Sequence, residues 1–390
     1  MLAAATGPPH SEVRPTRASG ARWLGALGFV LCTGGTCDEP VSPPGGGAQL
    51  LWSHAEKGAA AQPYVDDELA IFTTFDESRV VTLDARTGAV RWKRQLPLPA
   101  GIPTSNLPSA NVIAFEDLVI VPAWDLYALD RGTGAVRWVF QPPDDFPGAG
   151  EVTVSGGRVY ATGRLLYALD AESGALLWRT DLGEQPFYPV VMDGVIYLTT
   201  RGAVEPGSNV LGAGHAVALD AATGEVVWRF GMPDVSSSRR GGSVGPPFVK
   251  GELVLVAGAS GRVYALDRRS GTSRWEGVGS GPYFAGLAVV DQTVIVAGDV
   301  GSVEGFDLAT GALRWQTRPG SSVSNTITLG NDVALVAAGT ITAYEASGRM
   351  RWQHGGAGFG GPVYNTTPTY HNGVVYAGSS AGFHAVRPPR

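Results

Sequence analysis

Residues Val217 to Trp228 read Val-Ala-Leu-Asp-Ala-Ala-Thr-Gly-Glu-Val-Val-Trp, and versions of this motif return along nearly the whole chain. The motif predicts a strand, a tight turn and a second strand. Asp220 and the hydroxyl of Thr223 can accept hydrogen bonds from backbone N–H groups of the turn, and Gly224 permits a positive φ. The sequence therefore specifies a β-hairpin.

The copies keep one spacing, except that the last regular copy lacks one residue before its glycine. Their acid, glycine and tryptophan are Asp84, Gly88 and Trp92; Asp130, Gly134 and Trp138; Asp170, Gly174 and Trp178; Asp220, Gly224 and Trp228; Asp267, Gly271 and Trp275; Asp307, Gly311 and Trp315; Glu345, Gly348 and Trp352. Each tryptophan lies on the second strand, where its ring can fill the gap between neighbouring sheets and its N–H can find an acceptor. Repeats of about 40 residues with a few short strands each predict a β-propeller.

The two ends of the repeat series complement each other. Trp52 lies on an early strand that no turn precedes, whereas Phe383 to Arg387 is a late strand without turn or tryptophan. Trp52 can therefore supply the last strand to a final blade whose other strands come from Thr367 to Arg387. We expect an all-β fold, an eight-bladed propeller of four-stranded antiparallel blades, because this closure removes exposed sheet edges.

The fourth repeat shows the strands of one blade most clearly. Strands A to D are predicted at Pro189–Met192, Val195–Thr199, His215–Leu219 and Glu225–Arg229, with an Asp193-Gly194 turn between A and B. Similar A–B turns are predicted at Gly156-Gly157, Lys250-Gly251, Asp291-Gln292, Gly330-Asn331 and His371-Asn372-Gly373. Because strands alternate in direction, the B–C and D–A loops share one face. That face holds the two longest loops, residues 201–214 and 231–246, and variable loops on a rigid frame usually carry function.

Composition excludes several classes of function. With 55 Gly, 27 Pro and a formal net charge of −6, the chain suits a turn-rich β protein and has no basic stripe for nucleic acid. The six histidines are scattered without the spacing of a metal site. Asp66-Asp67-Glu68 and Asp144-Asp145 lack the alternating oxygen ligands of a calcium loop. We therefore expect solvated acidic loops and no cofactor.

The N-terminal region resembles a bacterial export signal. Arg14, Arg17 and Arg22 precede an apolar run, Trp23 to Leu31, which is too short to span a membrane. We expect a signal at residues 1–37, a flexible linker at 38–48 and the propeller at 49–390. Both cysteines precede the ring, so the ring has no disulfide. Lipidation of Cys37, cleavage by signal peptidase and an uncleaved anchor remain alternatives.

Partner-binding candidates lie on the face with the long loops. Arg201 and Glu205 lie in the long B–C loop, and the adjacent Arg239 and Arg240 lie in the long D–A loop. Guanidinium groups suit a partner carboxylate or a polar headgroup; a solvated loop is the alternative. Trp124 is either an exposed recognition ring or a cap on the central channel.

The pattern Ala-x-Asp-x-x-Thr-Gly-x-x-x-Trp, present from about Leu50 to Arg387, resembles the repeat of quinoprotein-type propellers with PQQ-like repeats. One branch, the quinoprotein alcohol dehydrogenases, holds a quinone and calcium and has a disulfide between adjacent cysteines. This chain has no adjacent cysteine pair, and no catalytic position can be assigned. A PQQ-dependent oxidoreductase is therefore the second candidate function.

The other branch is the outer-membrane assembly lipoprotein BamB, which the chain resembles in length, export signal and blade number. That resemblance implies a non-enzymatic scaffold, monomeric within a complex, whose partner is a BamA-like outer-membrane barrel subunit. It also implies export to the periplasmic face of the outer membrane, with membrane contact only through a lipid anchor. A secreted propeller that binds carbohydrate or peptide is the third alternative, and no binding residue of the family is transferred to this chain.

Overall fold

The repeated hairpins assemble into eight four-stranded antiparallel sheets. The computed structural model describes residues 48–56, 62–74, 79–97, 111–143, 150–202, 214–232, 245–283, 286–298, 301–318, 327–355, 366–379 and 381–389. Within these residues every regular element is a strand, and no helix is long and apolar enough to cross a membrane. The predicted eight-bladed propeller is confirmed.

Seven blades consist of consecutive strands A to D. They are β2–β5 (Tyr64–Val65, Leu69–Thr73, Arg79–Asp84, Val90–Gln95), β6–β9 (Ile113–Phe115, Leu118–Pro122, Leu126–Asp130, Val136–Phe140), β10–β13 (Val152–Ser155, Arg158–Thr162, Leu166–Asp170, Leu176–Thr180) and β14–β17 (Gln185–Met192, Val195–Arg201, His215–Asp220, Val226–Gly231). Next come β18–β21 (Phe248–Lys250, Leu253–Ala257, Arg262–Asp267, Ser273–Val278), β22–β25 (Leu287–Val290, Thr293–Ala297, Val303–Asp307, Leu313–Thr317) and β26–β29 (Thr328–Leu329, Ala334–Ala337, Ile341–Tyr344, Met350–His354).

The eighth blade combines both ends of the ring. Its strands A to C are β30–β32 (Thr369–His371, Val374–Ser379, Gly382–Arg387), and its strand D is β1 (Gln49–His54). Gln49 pairs with Arg387 and Trp52 with Ala385. The Trp52 ring centroid lies 6.0 Å from that of Phe383. The predicted closure is confirmed.

Each blade has its A strand nearest the axis, because A strands of neighbouring blades contact each other, as β2 contacts β30 and β10 contacts β14. Since consecutive strands are antiparallel, the A–B and C–D turns lie on one face, the short-turn face. The B–C and D–A connections lie on the other, the loop face. The core consists of hydrophobic clusters shared by adjacent blades, such as the cluster of β3, β4, β7 and β8 side chains.

Three predicted A–B turns are observed and three differ by one residue. In the eighth blade His371 pairs with Val374, so Asn372-Gly373 alone form the turn. Asp193 (φ 51°) and Gly194 (φ 76°) form the turn of the fourth blade. In the fifth blade Lys250 pairs with Leu253, so the turn is Gly251-Glu252 rather than Lys250-Gly251. Gly251 takes the positive φ at the first turn position. In the seventh blade the Gly330 N–H donates to the Val333 carbonyl at 2.8 Å, so the turn is Asn331-Asp332, one residue later than the predicted Gly330-Asn331 turn.

The C–D turn of each regular blade binds the tryptophan of the preceding blade. In the fourth blade one Asp220 carboxylate oxygen accepts the N–H groups of Ala222 (2.8 Å) and Thr223 (2.9 Å). Gly224 has φ 76°, and a Cβ placed there would lie 2.6 Å from the Trp178 ring. Glycine is therefore required both for the turn and for contact between blades.

Six indole N–H groups donate to the carbonyl that follows the acid of the next blade. The donor–acceptor pairs, all 2.8–3.0 Å apart, are Trp52–Ala85, Trp92–Arg131, Trp138–Ala171, Trp228–Arg268, Trp275–Leu308 and Trp315–Ala346. Trp178 differs because the Ala221 carbonyl accepts from the Tyr160 hydroxyl (3.0 Å) and Arg158 (3.1 Å) instead. The buried Trp178 N–H is left without an acceptor.

This difference predicts unequal effects of one substitution. Trp228→Phe removes ring volume and a buried hydrogen bond, whereas Trp178→Phe removes ring volume and an unpaired donor. We expect Trp228→Phe to lower the free energy of unfolding by about 1 kcal/mol more than Trp178→Phe. Urea unfolding of both variants measures the difference, and equal losses would contradict the prediction.

Stability should also fall in acid. Asp84 accepts hydrogen bonds from the Thr87 hydroxyl (2.8 Å) and Arg91 (2.6 Å), and these contacts lower its pKa to about 2. Because the folded pKa lies below the unfolded value of about 3.9, this stabilisation is present above pH ~4 and is lost as the pH falls towards 2.

Asp84→Asn tests this pH dependence. We expect the variant to unfold at lower urea concentration than wild type at neutral pH, with the gap narrowing below pH ~4. Asp291→Asn, at an exposed A–B turn, is the control and should show no such change. A gap that is constant across pH would refute this role for the Asp84 carboxylate.

Candidate functional site

The loop face of the third and fourth blades brings together a group of polar and aromatic side chains near the axis. Strand β14 is the inner strand of the fourth blade and is longer than the other inner strands, with eight residues. Phe187 pairs with Thr199 and Val190 with Tyr197, so Tyr188 and Pro189 together oppose Leu198. This is a β-bulge, a feature that re-aims side chains and often lies beside functional sites.

Tyr188 adopts a left-handed backbone conformation within this bulge. Its φ is 49°, which is rare for a bulky residue and costs backbone energy. Glu151, just before β10 of the third blade, lies close enough to the Tyr188 N–H for that group to lower the pKa of the carboxyl. Burial, then the nearby Glu151 charge, raises the pKa of the Tyr188 phenol well above its usual range, so the phenol stays neutral. The bulge therefore ties two neighbouring blades together.

The Glu151 carboxyl group lies where burial disfavours its charged form. Burial raises its pKa, and hydrogen bonds and the Arg201 charge oppose that rise only in part. One of the hydrogen bonds comes from the Thr162 hydroxyl, 3.2 Å away. Both Glu151 and Tyr188 keep some exposed surface although protein surrounds them. Both lie on or next to the inner strands of their blades.

Arg201 ends β15 and stacks on the aromatic part of the bulge. Its guanidinium carbon lies 4.9 Å from the centroid of the Phe187 ring, within cation–π range. Beside it, Glu184 accepts a hydrogen bond from the Thr200 hydroxyl and lies 2.8 Å from Nδ1 of His215. The Thr200 hydroxyl in turn accepts the His215 N–H at 2.8 Å. This network holds the ends of three strands in place.

The structure describes only two of the partner-binding candidates predicted from sequence. Arg201 belongs to the group just described, and Trp124 is half-buried in the B–C turn of the second blade. No described contact joins the two. Glu205, Arg239 and Arg240 lie outside the described residues, as does the lipidation candidate Cys37.

Three members of the group escaped sequence reasoning: Glu151, Phe187 and Tyr188. A signal was present in Gln185-Pro186-Phe187-Tyr188-Pro189, because proline within a strand marks an edge or a bulge. Glu151 carried no comparable signal, since its role depends on a contact with another blade.

The acidic side chains do not form a metal centre within the described part of the chain. No group of three or more His, Cys, Asp or Glu residues there could hold a metal ion. Asp66, an acidic candidate from sequence, instead accepts the N–H groups of Glu68 and Leu69 and pairs with Arg131 at 2.7 Å. Calcium requires six to eight oxygen ligands. Asp66 is therefore used for the turn and for the ion pair with Arg131, and the described acidic residues do not assemble a calcium site.

Comparison with known proteins identifies the family. A family model described as outer membrane protein assembly factor BamB matches residues 44–141, 122–283 and 277–389. The chain belongs to this BamB family. BamB of Burkholderia pseudomallei is 29% identical over 244 residues, which cover 57% of this chain and 56% of that protein. The serine/threonine-protein kinase AfsK of Streptomyces griseus is 30% identical over 274 residues, which cover 58% of this chain and 31% of the kinase.

The chain therefore matches between a third and a little over half of the length of these curated relatives. Among solved structures, BamB from Moraxella catarrhalis superposes with a TM-score of 0.64 at 19% identity, covering 87% of this chain and 97% of that one. Quinohemoprotein alcohol dehydrogenase from Comamonas testosteroni gives 0.67 at 16% identity, covering 88% and 78%. At these identities the BamB and dehydrogenase structures share the fold with this chain, and the fold alone does not separate their functions.

The pKa of Glu151 yields a test of the site. Its folded pKa is raised, so an ionised Glu151 destabilises the fold at neutral pH, and this cost disappears below the unfolded pKa near 4.3. We expect Glu151→Gln to unfold at a higher temperature than wild type at pH ~8, with no such gain at pH ~4. Calorimetry at both pH values measures this. Glu225→Gln, an exposed control, should gain nothing, and an equal gain in both variants would contradict the prediction.

Proposed function

We propose that this protein is an exported, non-enzymatic scaffold that binds a protein partner in the bacterial cell envelope, a role like that of BamB in outer-membrane protein assembly. The contact surface is the loop face of the third to fifth blades. The observation that carries the proposal is the anchoring of both long loops beside Arg201. Membership of the BamB family supports the same role.

Two backbone contacts locate the long loops. The Met232 N–H donates to the Gly214 carbonyl at 2.9 Å. Gly214 lies at the end of the long B–C loop and Met232 at the start of the long D–A loop, so these two loop ends are adjacent. Where the D–A loop returns, the Gly245 carbonyl accepts from the Thr199 hydroxyl at 3.1 Å. Thr199 is two residues from Arg201 on β15. The described ends of the two loops that carry Glu205, Arg239 and Arg240 in the sequence therefore lie near Arg201.

In the described part of this surface, the side chains are held in place by contacts within the protein. Arg201 is oriented by the Phe187 ring, and the bulge is held by Glu151 across two blades. Arginine and aromatic residues are enriched among the residues that dominate binding energy at interfaces. Because these side chains are ordered before a partner arrives, docking loses little conformational entropy.

The partner proposed for this surface carries carboxylates that pair with Arg201, Arg239 and Arg240. In the envelope it is a BamA-like outer-membrane barrel subunit, and the propeller is a monomer within that complex. Export follows from the N-terminal signal, with Cys37 as the site of a lipid anchor. Mass spectrometry of the native N-terminus tests the anchor: a diacylglyceryl group on Cys37 supports it, and an unmodified or absent Cys37 refutes it.

Affinity purification from envelope extracts tests the contact surface. We expect Arg201→Ala, and separately Arg239→Glu with Arg240→Glu, to reduce recovery of the partner about tenfold, the effect of losing one well-formed contact. Arg269→Glu is the matched control, because Arg269 is highly exposed on the short-turn face. Undiminished recovery with both loop-face variants, or equal loss with the control, would contradict the proposed surface.

The oxidoreductase alternative has its own assay. Purified protein is mixed with calcium and pyrroloquinoline quinone, and dye-linked alcohol oxidation is measured. A stoichiometric quinone complex with alcohol-dependent dye reduction would replace the scaffold proposal. A glycan and peptide array tests the remaining alternative, a secreted ligand-binding propeller.

A further inference from the structure

The outer strands of the third and fourth blades each expose two adjacent apolar side chains beside the C–D turn. Leu176 and Leu177 begin β13 and are 43% and 47% exposed, and Val226 and Val227 begin β17 and are 46% and 53% exposed. Strand D is the outer edge of each blade, so these side chains lie on the rim of the ring. They lie at the short-turn end of the rim, so their role does not depend on the contact surface proposed on the loop face.

The second residue of each pair occupies a position that is an arginine in the other regular blades. A bulge at the start of strand D lets two residues oppose one residue of strand C, as Val226 and Val227 oppose Leu219. In five blades the second of these two residues is an arginine: Arg91, Arg137, Arg274, Arg314 and Arg351. The first residue is an exposed valine or leucine in other blades too, so Leu177 and Val227 are what distinguish the third and fourth blades.

Each of these arginines pairs with the acid of its own turn. The ion pairs are Arg91–Asp84, Arg137–Asp130, Arg274–Asp267, Arg314–Asp307 and Arg351–Glu345. In the second blade, Oδ1 of Asp130 accepts the N–H groups of Gly132 (3.1 Å) and Thr133 (2.9 Å), whereas Oδ2 lies 2.7 Å from the Arg137 guanidinium. One carboxylate oxygen therefore shapes the turn and the other binds a cation on the rim.

In the third blade, Asp170 keeps the turn contacts and lacks the cation. Its Oδ1 accepts the N–H (2.9 Å) and the hydroxyl (2.6 Å) of Ser173, and within the described part of the chain no cation pairs with its other oxygen. Arg158 lies opposite Asp170 on the neighbouring strand, but its guanidinium donates to the Ala221 carbonyl of the fourth blade at 3.1 Å, beside Asp220. Asp170 therefore has an unpaired carboxylate oxygen next to Leu177.

The two apolar pairs lie on outer strands that touch each other. A Cβ placed at Gly224, in the C–D turn of the fourth blade, would lie 2.6 Å from the Trp178 ring, and the Gly224 carbonyl accepts from the Thr180 hydroxyl at 2.8 Å. Trp178 directly follows Leu177, and Val226 comes two residues after Gly224. Edge strands are usually protected by charged side chains, and clustered exposed apolar side chains mark interaction sites. This part of the rim has the second feature without the first.

Exposed apolar side chains beside an unpaired carboxylate define the occupant. Five blades of the same ring show the group that completes such a turn, a basic side chain on the outer side of the acid. We propose that the rim of the third and fourth blades binds a segment of another protein in which a basic residue lies between apolar ones. The basic side chain pairs with Asp170, and the apolar side chains cover Leu177 and Val227. The rim arginines of a second copy are already paired with their own turns, which favours a different protein.

A short peptide tests the site. The probe is the end-blocked peptide Leu-Val-Arg-Val-Leu, and its matched control carries citrulline, which has nearly the shape of arginine without the charge. The full chain is isotope-labelled at leucine and valine methyl groups, and Leu177→Ala, Val227→Ala and Leu313→Ala identify three of the resonances. We expect millimolar arginine peptide to shift the Leu177 and Val227 resonances and to leave that of Leu313, which is 47% exposed on the sixth blade, in place. The arginine peptide should bind about fivefold more tightly than the citrulline peptide, as for one exposed charge pair.

Variants of the protein separate the contacts. Leu177→Arg restores the arginine of the other blades, so it should pair with Asp170 within the chain and abolish peptide binding, whereas Leu313→Arg should leave binding unchanged. Asp170→Asn keeps the oxygen that shapes the turn and removes the charge, so the two peptides should bind equally. Unmoved Leu177 and Val227 resonances, equal binding of both peptides to wild type, or binding that survives Leu177→Arg would overturn the proposal. Self-association of wild type in sedimentation that Leu177→Arg abolishes would also overturn it and assign the rim to a second copy.

Discussion

The contact between a tryptophan ring and a glycine turn of the next blade holds this ring together. Each turn is shaped first within its own hairpin, where an acidic side chain accepts turn N–H groups and glycine takes a positive φ, as Asp220 and Gly224 do. The turn then offers a flat backbone surface and a carbonyl to the neighbouring indole. Local hairpin chemistry and packing between blades thus depend on the same few residues, so a substitution in one turn affects two blades.

Two places in this propeller depart from that repeated unit. The bulge in β14 places Phe187 and Tyr188 where a regular strand would not, and burial beside it raises the pKa of Glu151 in the preceding blade. The seam beside Trp352 differs from the other seams because the eighth blade has no C–D turn. One departure adds a residue to an inner strand and the other omits a turn between the two outer strands, and they lie on opposite faces of the ring.

The repeat made the fold predictable from sequence, because each hairpin depends on residues close together in the chain. The pairing of β1 with β32 was predictable as well, since the two incomplete ends matched. The sequence could not predict features that depend on contacts between residues far apart in the chain. Tyr160 and Arg158 take the carbonyl that Trp178 would otherwise use, and Glu151 reaches Tyr188 across a blade boundary. Of the proposed binding residues, only Arg201 was both predicted and placed within a defined group; Glu205, Arg239 and Arg240 stay predictions.

The strand pair that closes the ring also determines how the disc responds to mechanical load. Gln49 begins β1 and lies opposite Arg387, which ends β32, so chain extending from either strand leaves from the same end of the pair. Tension applied through those two extensions would peel β1 away one hydrogen bond at a time, an unzipping geometry that resists force weakly. Tension between the loop face and a single end would instead be spread across whole blades. A propeller closed in this way is mechanically weakest where its two ends meet.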